Sequence, residues 1–414
     1  MHLLDWRLGG DYVLKTVHRT IADEAREVRP LVEGLLRERR EKSIMCPGLL
    51  GFRPIEIWEG MDNIVAVDGG NRSRDYREFT IYLARAWAGG GGREALLHSL
   101  GVVVPPSDAE ARISIYREIL EAVVAKEAVP GGGRGLLLLD GSPSTALKWW
   151  RPGLSRWGLK MSAAISEAEK MLPSIRGQTL IPDCVEGGCV ETLLEKATRR
   201  PASNRAAMIL ATLTDNIEQL RWIVAVEVAE KLYMYKTMLE EAWARGYTPV
   251  FVAKTSRSTE ICRGPIADAA YIEARAPQSP SYAVAREDLM VKVGLNNMLG
   301  IEVGEGDGRF IPDVAGLRKF YENLAEVSTY ARLAPGGPIL RVSILLPGGD
   351  KKLGDHLGLL ESILSRLANF SPSGYPVPLL IAHEKARVSG DDLERASLLL
   401  GLSLKEVSRG VLRI

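Results

Sequence analysis

Two aspartates occur where an apolar segment meets a glycine, a context in which a carboxylate could bind a metal ion. Asp68 lies in "IVAVDGGNRS" and Asp140 lies in "LLLLDGSPS". Because Asp-Gly is also a common turn pair, either motif alone equally fits an aspartate that stabilises a turn. If both follow neighbouring central strands, they meet at one edge of an α/β sheet, where such proteins tend to place their sites. Two carboxylates that close repel each other unless a cation lies between them.

A helix between the two predicted strands offers a third carboxylate. Hard divalent ions such as Mg²⁺ and Mn²⁺ prefer carboxylate oxygen, and a third acidic side chain is normally needed to hold two of them about 4 Å apart. Glu118 and Glu121 lie three residues apart and therefore on roughly one face of this helix. A glutamate of an amphipathic helix also fits a solvated surface. Of the two, we favour Glu118 as the ligand and keep Glu121 as the alternative.

His383 is the candidate nitrogen ligand. It follows the apolar segment "VPLLIA", which we interpret as a strand, and its imidazole could be a fourth metal ligand or a proton carrier. The same residue also fits a surface or capping position. Since imidazole nitrogen suits Mn²⁺ better than Mg²⁺, the predicted cofactor is a pair of Mn²⁺ ions, with Mg²⁺ as the alternative.

Lys254 ends another predicted strand, in "YTPVFVAKTSRST", and hydroxyl side chains follow it. A helix is predicted to begin here, and a helix N-terminus beside a lysine is a good site for a phosphate. The alternative is a solvated lysine next to a hydroxyl, from Thr255 or Ser256, that caps the helix.

The elements that position these residues alternate between strands and helices, which predicts an α/β fold. Residues 1–58 are predicted to form a helical N-terminal extension, followed by strands at 64–67 and 77–88, a helix at 108–128 and a buried strand in "LLLLD". Residues 146–245 fit a mostly helical insertion. The core then resumes with the strands "YTPVFVA" and "ILRVSILLP", the helix "GDHLGLLESILSRLANF" and a final helix. No repeat or long linker divides the chain, so we predict one composite domain over residues 59–414, with its core at 59–145 and 246–414.

Charge and composition limit the class of protein. Lys and Arg number 53 against 52 Asp and Glu, so any basic surface for nucleic acid must be local. No apolar segment is long enough to span a membrane and the N-terminus lacks the apolar core of a signal peptide, so we expect a cytoplasmic protein. Only 8 Asn and 3 Gln occur, which suggests a thermophile. The close pair Cys184 and Cys189 leaves both zinc binding and redox pairing open.

The ordered set of motifs resembles the NurA nucleases of archaea and some bacteria. A strand ending in "VDGG", a glutamate-bearing helix followed by "LLLLDGS", and then "VFVAKTSRST", "ILRVSILLP" and "YPVPLLIAHEKA" occur in that family's order, over roughly residues 60–390. The resemblance places the family's acidic residues on Asp68, Glu118 and Asp140. It places the late histidine on His383 and the lysine of the strand-lysine motif on Lys254.

The resemblance implies an RNase H-like mixed sheet flanked by helices, a toroidal homodimer and a Mn²⁺-dependent nuclease. It also implies 5′→3′ exonuclease activity on single- and double-stranded DNA and endonuclease activity on single strands. The implied partner is a hexameric HerA-type ATPase that translocates DNA during end resection, in the repair of double-strand breaks by homologous recombination. The two glycines after Asp68 would leave room for metal and DNA backbone. The side chains predicted to hold that backbone without reading bases are Lys254, Arg72, Arg74 and Arg257.

Three departures from the family pattern leave questions open. The loop "PGGGRG" is expanded, which leaves the choice between Glu118 and Glu121 undecided. Tyr233 and Tyr235 are both candidates for a tyrosine that reaches the site. Ser343 stands in "RVSILLP", where the family often has an acidic residue.

Two interpretations come from other classes of protein. RNase H-like folds also build actin-type and sugar-kinase-type ATPases, whose first strand ends in an Asp-Gly phosphate loop, and "DGGNRS" fits such a loop loosely. Those proteins need a second glycine-rich loop and an adenosine motif, neither of which is evident, and the P-loop pattern is absent from the sequence. A DNA-binding scaffold without catalytic activity is the third interpretation.

Overall fold

The structure is a computed structural model of the chain, and it falls into two units, Met1–Cys46 and Pro47–Ile414. It describes residues 26–34, 46–57, 60, 63–77, 79–103, 109–147, 217–264, 266–295, 298, 317–348 and 353–400. In the first unit, residues 26–34 form a helix, α1, with exposed side chains. All candidate site residues belong to the second unit.

Ten strands among the described residues form one mixed sheet. They are β1 (Leu49–Pro54), β2 (Asn63–Asp75), β3 (Thr80–Gly90), β4 (Arg93–Val103), β5 (Gly135–Asp140), β6 (Tyr247–Ala253), β7 (Ser281–Ala285), β8 (Val291–Val293), β9 (Leu324–Arg332) and β10 (Ile339–Pro347). Their order is β1-β7-β9-β10-β6-β5-β2-β3-β4, with β8 paired to β9. β2, β5 and β6 pair in parallel at the centre, and antiparallel strands extend the sheet on both sides. The central strands therefore present their carboxyl ends at the same edge.

Helices cover both faces of the sheet. They are α2 (Ala109–Ala128), α3 (Pro143–Ala146), α4 (Ile217–Ala244), α5 (Asp268–Glu273), α6 (Glu287–Met290), α7 (Leu317–Glu322), α8 (Leu353–Asn369), α9 (Val377–Ala386) and α10 (Gly390–Leu399). α2 packs against β2, β3, β4 and α4, and its apolar residues join the main core. α9 and α10 pack over β2 and β3. A Cβ atom on Gly69 would point at α2 and one on Gly70 at α9, so these two helices lie on opposite faces.

α2 is buried on nearly every side, because α4 covers the side that faces away from the sheet. Its polar residues therefore need partners inside the protein. Arg112 donates hydrogen bonds to both carboxylate oxygens of Glu227 on α4, at 3.0 and 2.6 Å, and to the hydroxyl of Tyr116 at 3.0 Å. This two-pronged ion pair fixes α4 against α2. At these positions α2 therefore lacks the solvent-exposed face that an amphipathic helix would have.

The structure confirms most of the predicted elements and corrects several. A strand, β1, forms within the segment predicted as a helical extension, and it pairs with β7. β2 is 13 residues long and runs straight through "DGGNRSRD", so the Asp-Gly-Gly sequence is neither a turn nor a phosphate loop. α4, which lies at the end of the predicted insertion, belongs to the main core. The rest of that insertion, with Cys184 and Cys189, lies outside the described residues.

Two predicted elements near the site are wrong. "VPLLIAHEKA" is not a strand but the helix α9, because a proline occupies its first turn and its buried residues, Leu379, Ala382 and Ala386, recur at helical spacing. No helix begins directly after Lys254, since the chain continues there as a loop and the next helix starts at Asp268.

In the described part of the chain, no helix is long and apolar enough to cross a membrane.

Candidate metal centre

Asp68 and Asp140 occupy adjacent positions at the edge of the parallel strands, as the sequence predicted. β2 and β5 pair as far as Val67 and Leu139, and an aspartate follows in each chain segment. β2 continues beyond Asp68 along β3 only. Asp68 therefore lies where β2 parts from β5, beside the end of β5 that carries Asp140.

The carboxylate of Asp68 is buried and both of its oxygens have partners. Oδ1 accepts a hydrogen bond from the backbone N–H of Gly69 at 2.7 Å, and Oδ2 accepts one from Nδ1 of His383 at 2.8 Å. Burial raises the pKa of Asp68 above its usual value, the hydrogen bond from His383 lowers it, and the negative charge of Asp140 raises it. The net pKa is raised, so a cation next to Asp68 would stabilise its ionised form.

Asp140 faces a lysine and a tyrosine. Nζ of Lys254 lies 3.4 Å from Oδ2 of Asp140 and 4.1 Å from the ring centroid of Tyr375, a cation–π contact. The hydroxyl of Tyr375 is buried and makes no hydrogen bond of ordinary geometry among the described residues. Burial and the charges of Asp140 and Asp68 raise the pKa of the Tyr375 phenol, so it stays a proton donor beside the two carboxylates.

Glu121, on α2, occupies the space that a side chain at Gly69 would fill, next to Asp68 in the chain. A Cβ atom on Gly69 would overlap Oε1 of Glu121 and lie 2.8 Å from Cγ of Arg117. Burial raises the pKa of Glu121 to about 7, Arg117 lowers it, and neighbouring carboxylates, Asp68 and Asp140 among them, raise it. Gly69 therefore makes room for the protein's own side chains, and not for DNA as the sequence suggested. Gly70 does the same for the backbone of α9.

Glu118 is directed toward α4 instead. Its Oε2 lies 3.2 Å from Nζ of Lys231, which has no exposed surface, and its Oε1 lies 3.7 Å from Nη2 of Arg117. Separating a buried carboxylate from a buried ammonium group is costly. Of the two candidate glutamates, the structure therefore pairs Glu118 with Lys231 and packs Glu121 against Gly69, the residue after Asp68.

The donor set suits a divalent metal ion, although the side chains are not assembled around one. In the described part of the chain, no three His, Cys, Asp or Glu side chains lie close enough together to hold a metal. Instead, each carboxylate has a partner inside the protein: Asp68 has His383, Asp140 has Lys254, and Glu121 has Arg117. Carboxylate oxygen and imidazole nitrogen are ligands of Mn²⁺ and Mg²⁺, and the buried Oε1 of Glu121 makes no hydrogen bond of ordinary geometry. Metal binding therefore requires Asp140 and Glu121 to release their basic partners, Lys254 and Arg117, for the ion.

The predicted DNA-contacting arginines are placed differently from one another. Arg72 lies on β2, and its Nε donates a hydrogen bond to the carbonyl of Val388 at 2.9 Å. Arg74 lies two residues further along β2 and is half-buried, whereas Arg257 is exposed in the loop after Lys254.

Tyrosine and serine candidates lie behind the site. Tyr235 is fully buried on α4, and burial together with the charges of Glu121 and Glu118 raises its pKa, whereas burial and the charge of Glu240 raise the pKa of Tyr233. Ser343 donates a hydrogen bond at 2.7 Å to Glu326 on the neighbouring strand β9. A buried acidic side chain therefore lies beside Ser343.

Sequence reasoning missed three residues that contact the cluster. Arg117 carries the one available signal, because its spacing of four from Glu121 is typical of an ion pair on a helix. Lys231 lies in the segment predicted as an insertion, and Tyr375 lies in a loop, so no local pattern connects either of them with the aspartates.

A mixed sheet flanked by helices, with carboxylates where its central parallel strands part, defines a mixed α/β protein, as expected from the sequence. The chain belongs to the NurA family, because a family model for the NurA domain matches residues 62–388.

Curated relatives and solved structures agree with this assignment. The DNA double-strand break repair nuclease NurA of Sulfurisphaera tokodaii is 23% identical over 357 residues, which cover 84% of this chain and 83% of that protein. The protein of the same name from Sulfolobus acidocaldarius is 23% identical over 377 residues, 89% of each chain. The crystal structure of the NurA nuclease from Sulfolobus solfataricus shares the fold, with a TM-score of 0.57, 18% identity, and coverage of 93% of this chain and 97% of that one. A crystal structure of NurA bound to dAMP and manganese gives a TM-score of 0.57 at 15% identity, over 94% and 99% of the two chains.

Proposed function

We propose that this protein is a divalent-metal-dependent DNA nuclease that acts in the repair of double-strand breaks. The observation that carries the proposal is the adjacency of Asp68 and Asp140 at the edge of the parallel strands, with His383 hydrogen-bonded to Asp68 and Glu121 close enough for both aspartates to raise its pKa. Carboxylates grouped at the carboxyl ends of parallel strands are the ligands that a hydrolytic metal site needs. Relatives named as NurA nucleases, and a NurA structure that holds manganese, support the same activity.

Asp68, Asp140 and Glu121 would hold the metal, with His383 completing the ligand set and Glu118 remaining with Lys231. Mn²⁺ is the proposed ion, as a pair, with Mg²⁺ as the alternative. When bound, the ions supply Lewis-acid activation of water and stabilise charge on the phosphate oxygens. Two ions are expected because three carboxylates supply more negative charge than one divalent ion neutralises.

The remaining side chains act on substrate and protons. The hydrogen bond from Nδ1 of His383 to Asp68 orients the imidazole and leaves Nε2 as the nitrogen that would bind the metal. Lys254, 43% exposed beside Asp140, is placed to pair with a phosphate oxygen once Asp140 turns to the metal. The buried Tyr375 hydroxyl stays protonated and can donate a proton in a hydrogen bond to Asp140. Arg74 and Arg257 would bind the backbone further from the cleavage site.

The finer activity follows from the family resemblance. We propose 5′→3′ exonuclease activity on single- and double-stranded DNA and endonuclease activity on single strands. A homodimer would work with a hexameric HerA-type translocase that delivers the DNA. Light scattering of the pure protein tests the dimer, which would have about twice the chain mass of 45.3 kDa.

End-labelled linear DNA tests the nuclease directly. With Mn²⁺ we expect degradation of DNA labelled at either end, with the order of products from 5′- and 3′-labelled strands reporting the polarity. Asp140→Asn and Asp68→Asn are expected to lower the rate by at least about 10²-fold, because each removes a metal-binding oxygen charge. Arg93→Gln is the matched control, since Arg93 is exposed at the β3-β4 hairpin and has no contact with the site residues among those described above.

Two outcomes would overturn the proposal. One is cleavage that persists in Asp140→Asn, which would place the activity elsewhere or in a contaminant. The other is the absence of both cleavage and Mn²⁺ binding in the unaltered protein, which would favour the DNA-binding scaffold. Tight ATP binding would point to the ATPase class, although β2 runs through "DGG" without forming a phosphate loop.

A further inference from the structure

The C-terminal end of α9 is fixed to the sheet at three points close to Asp68. The first is Gly70, where a Cβ atom would lie 2.6 Å from the carbonyl oxygen of Ala386, the last residue of α9. Real Cβ atoms do not approach a backbone oxygen so closely. The absence of a side chain at Gly70 therefore lets the helix end rest directly on β2.

Two arginines on the same face of the sheet supply the other points. Arg72 donates from Nε to the carbonyl of Val388 at 2.9 Å, and Arg85 donates from Nη1 to the carbonyl of Arg387 at 2.7 Å. The last carbonyls at a helix C-terminus lack partners within the helix, and cations are favourable there. Arg85 is itself held by Nδ1 of His98 at 3.2 Å and by Asp392 at 3.6 Å. The two guanidinium groups therefore bind the backbone that leaves α9.

The same segment carries His383, less than one turn before Ala386. Asp68, Gly70 and Arg72 alternate along β2, so their side chains lie on one face, and Arg85 is the β3 residue paired with Gly70. A shift of the helix end along this face would move the imidazole relative to Asp68, whose Oδ2 lies 2.8 Å from Nδ1 of His383.

We propose that Gly70, Arg72 and Arg85 form a carbonyl clamp that positions His383 on Asp68. The clamp residues are positioning residues, and Arg72 acts on the protein backbone and not on DNA. The proposal rests on the proposed function only for its effect on catalysis, since the position of the imidazole can be measured without DNA or metal.

The test compares Arg72→Met, Arg85→Met and Gly70→Ala with Arg93→Met, an exposed arginine outside the clamp. We expect kcat for DNA cleavage to fall by about 10- to 100-fold in the three clamp variants, because a displacement of about 1 Å at a catalytic group costs that much. KM for DNA should change by less than about threefold, because no phosphate contact is lost. Gly70→Ala is the sharpest variant, since it changes no charge.

Nuclear magnetic resonance of protein labelled with ¹⁵N-histidine gives the second measurement. In metal-free protein, the clamp variants should shift the Nδ1 resonance of His383 toward its position in Asp68→Ala, where the hydrogen bond is lost. Arg93→Met should leave it unchanged. Arg72→Lys keeps the charge but loses the Nε donor, so we expect it to resemble Arg72→Met.

Several results would overturn the clamp. If Arg72→Met raises KM, lowers the salt dependence of binding by about one phosphate contact and leaves the His383 resonance unmoved, Arg72 is a DNA contact. If Arg72→Lys is as active as the unaltered protein, the positive charge of Arg72 alone accounts for its effect on activity. If a urea titration shows that Gly70→Ala does not fold, the kcat values and His383 resonances of Arg72→Met and Arg85→Met test the clamp instead. If the proposed nuclease function is wrong, the unaltered protein will not cleave DNA. The clamp variants would still shift the His383 resonance, so the two failures can be told apart.

Discussion

At the residue scale, the two glutamates of α2 have different roles although they share one helix face. Glu121 interacts with Asp68 and Asp140, whereas Glu118 lies against the fully buried Lys231. We therefore expect Glu121→Gln to lower metal-dependent cleavage by at least about 10²-fold with little loss of stability. Glu118→Gln should instead cost about 3 kcal/mol of unfolding free energy, because it removes the negative charge 3.2 Å from the buried ammonium group of Lys231.

Urea unfolding and cleavage rates, measured on the same preparations, separate these roles. The double variant Glu118→Gln with Lys231→Met should regain most of the lost stability, since removing both members of a buried ion pair is often close to neutral. Loss of cleavage in Glu118→Gln at unchanged stability would mean that Glu118 is the metal ligand after all.

At the element scale, Gly69 decides how α2 and β2 fit together. A methyl group at this position would overlap Oε1 of Glu121 and press on Cγ of Arg117 at 2.8 Å. Because these atoms lie close to the helix, α2 itself must shift, so we expect Gly69→Ala to cost about 1 to 3 kcal/mol of stability and lower kcat by about 10²-fold. Gly358→Ala in α8 is the control, since its Cβ would meet no atom within 4 Å.

The measurements for Gly69→Ala are urea unfolding and steady-state cleavage over a range of DNA concentrations. If Gly69 instead left room for DNA, the substitution would raise KM for DNA at constant kcat. That result would restore the interpretation drawn from the sequence.

Local sequence patterns predicted the elements whose signal lies within one short window. The strand that ends at Asp140 and the helix at Ala109–Ala128 both formed, because a buried apolar run between glycines and a long helical repeat are distinctive. α9 was missed since a six-residue apolar run fits a strand or a helix equally, and here α9 packs on β2. The prediction of a helix after Lys254 was wrong, because the hydroxyl residues that often cap a helix lie in a loop here.

At the scale of the whole molecule, the site depends on contacts that no local pattern encodes. His383 and Asp68 lie 315 residues apart in sequence, and Lys254 and Asp140 lie 114 apart. The family's motif order brought these four residues together in the prediction. Tyr375 was missed because only the assembled sheet and helices bring it to Asp140, whereas the spacing of four between Arg117 and Glu121 was a local signal that was not used.

The pH dependence of stability is a property of the whole chain that this site should control. Glu121 has a folded-state pKa of about 7 against 4.5 for a free glutamate, and burial is the main cause. A raised carboxyl pKa means that the folded state binds more protons, so this contribution is complete below pH 4.5 and is lost as the pH rises through 7. The raised pKa of Asp68 acts in the same direction. Metal-free protein should therefore lose up to about 3 kcal/mol of unfolding free energy across this range, and Glu121→Gln should remove much of that slope.

Mn²⁺ should reverse this trend, because the ion replaces the protons on the same carboxylates. At about 100 times its dissociation constant, a ligand that binds only the folded state adds about 2.7 kcal/mol, so we expect a gain of that size at pH 8 and a much smaller gain at pH 5. Urea titrations with and without Mn²⁺ at both values measure it, with Asp68→Asn as the variant that should lose the gain. Stabilisation that is equal at both values, or that persists in Asp68→Asn, would mean that the ion binds elsewhere and that the three carboxylates are structural.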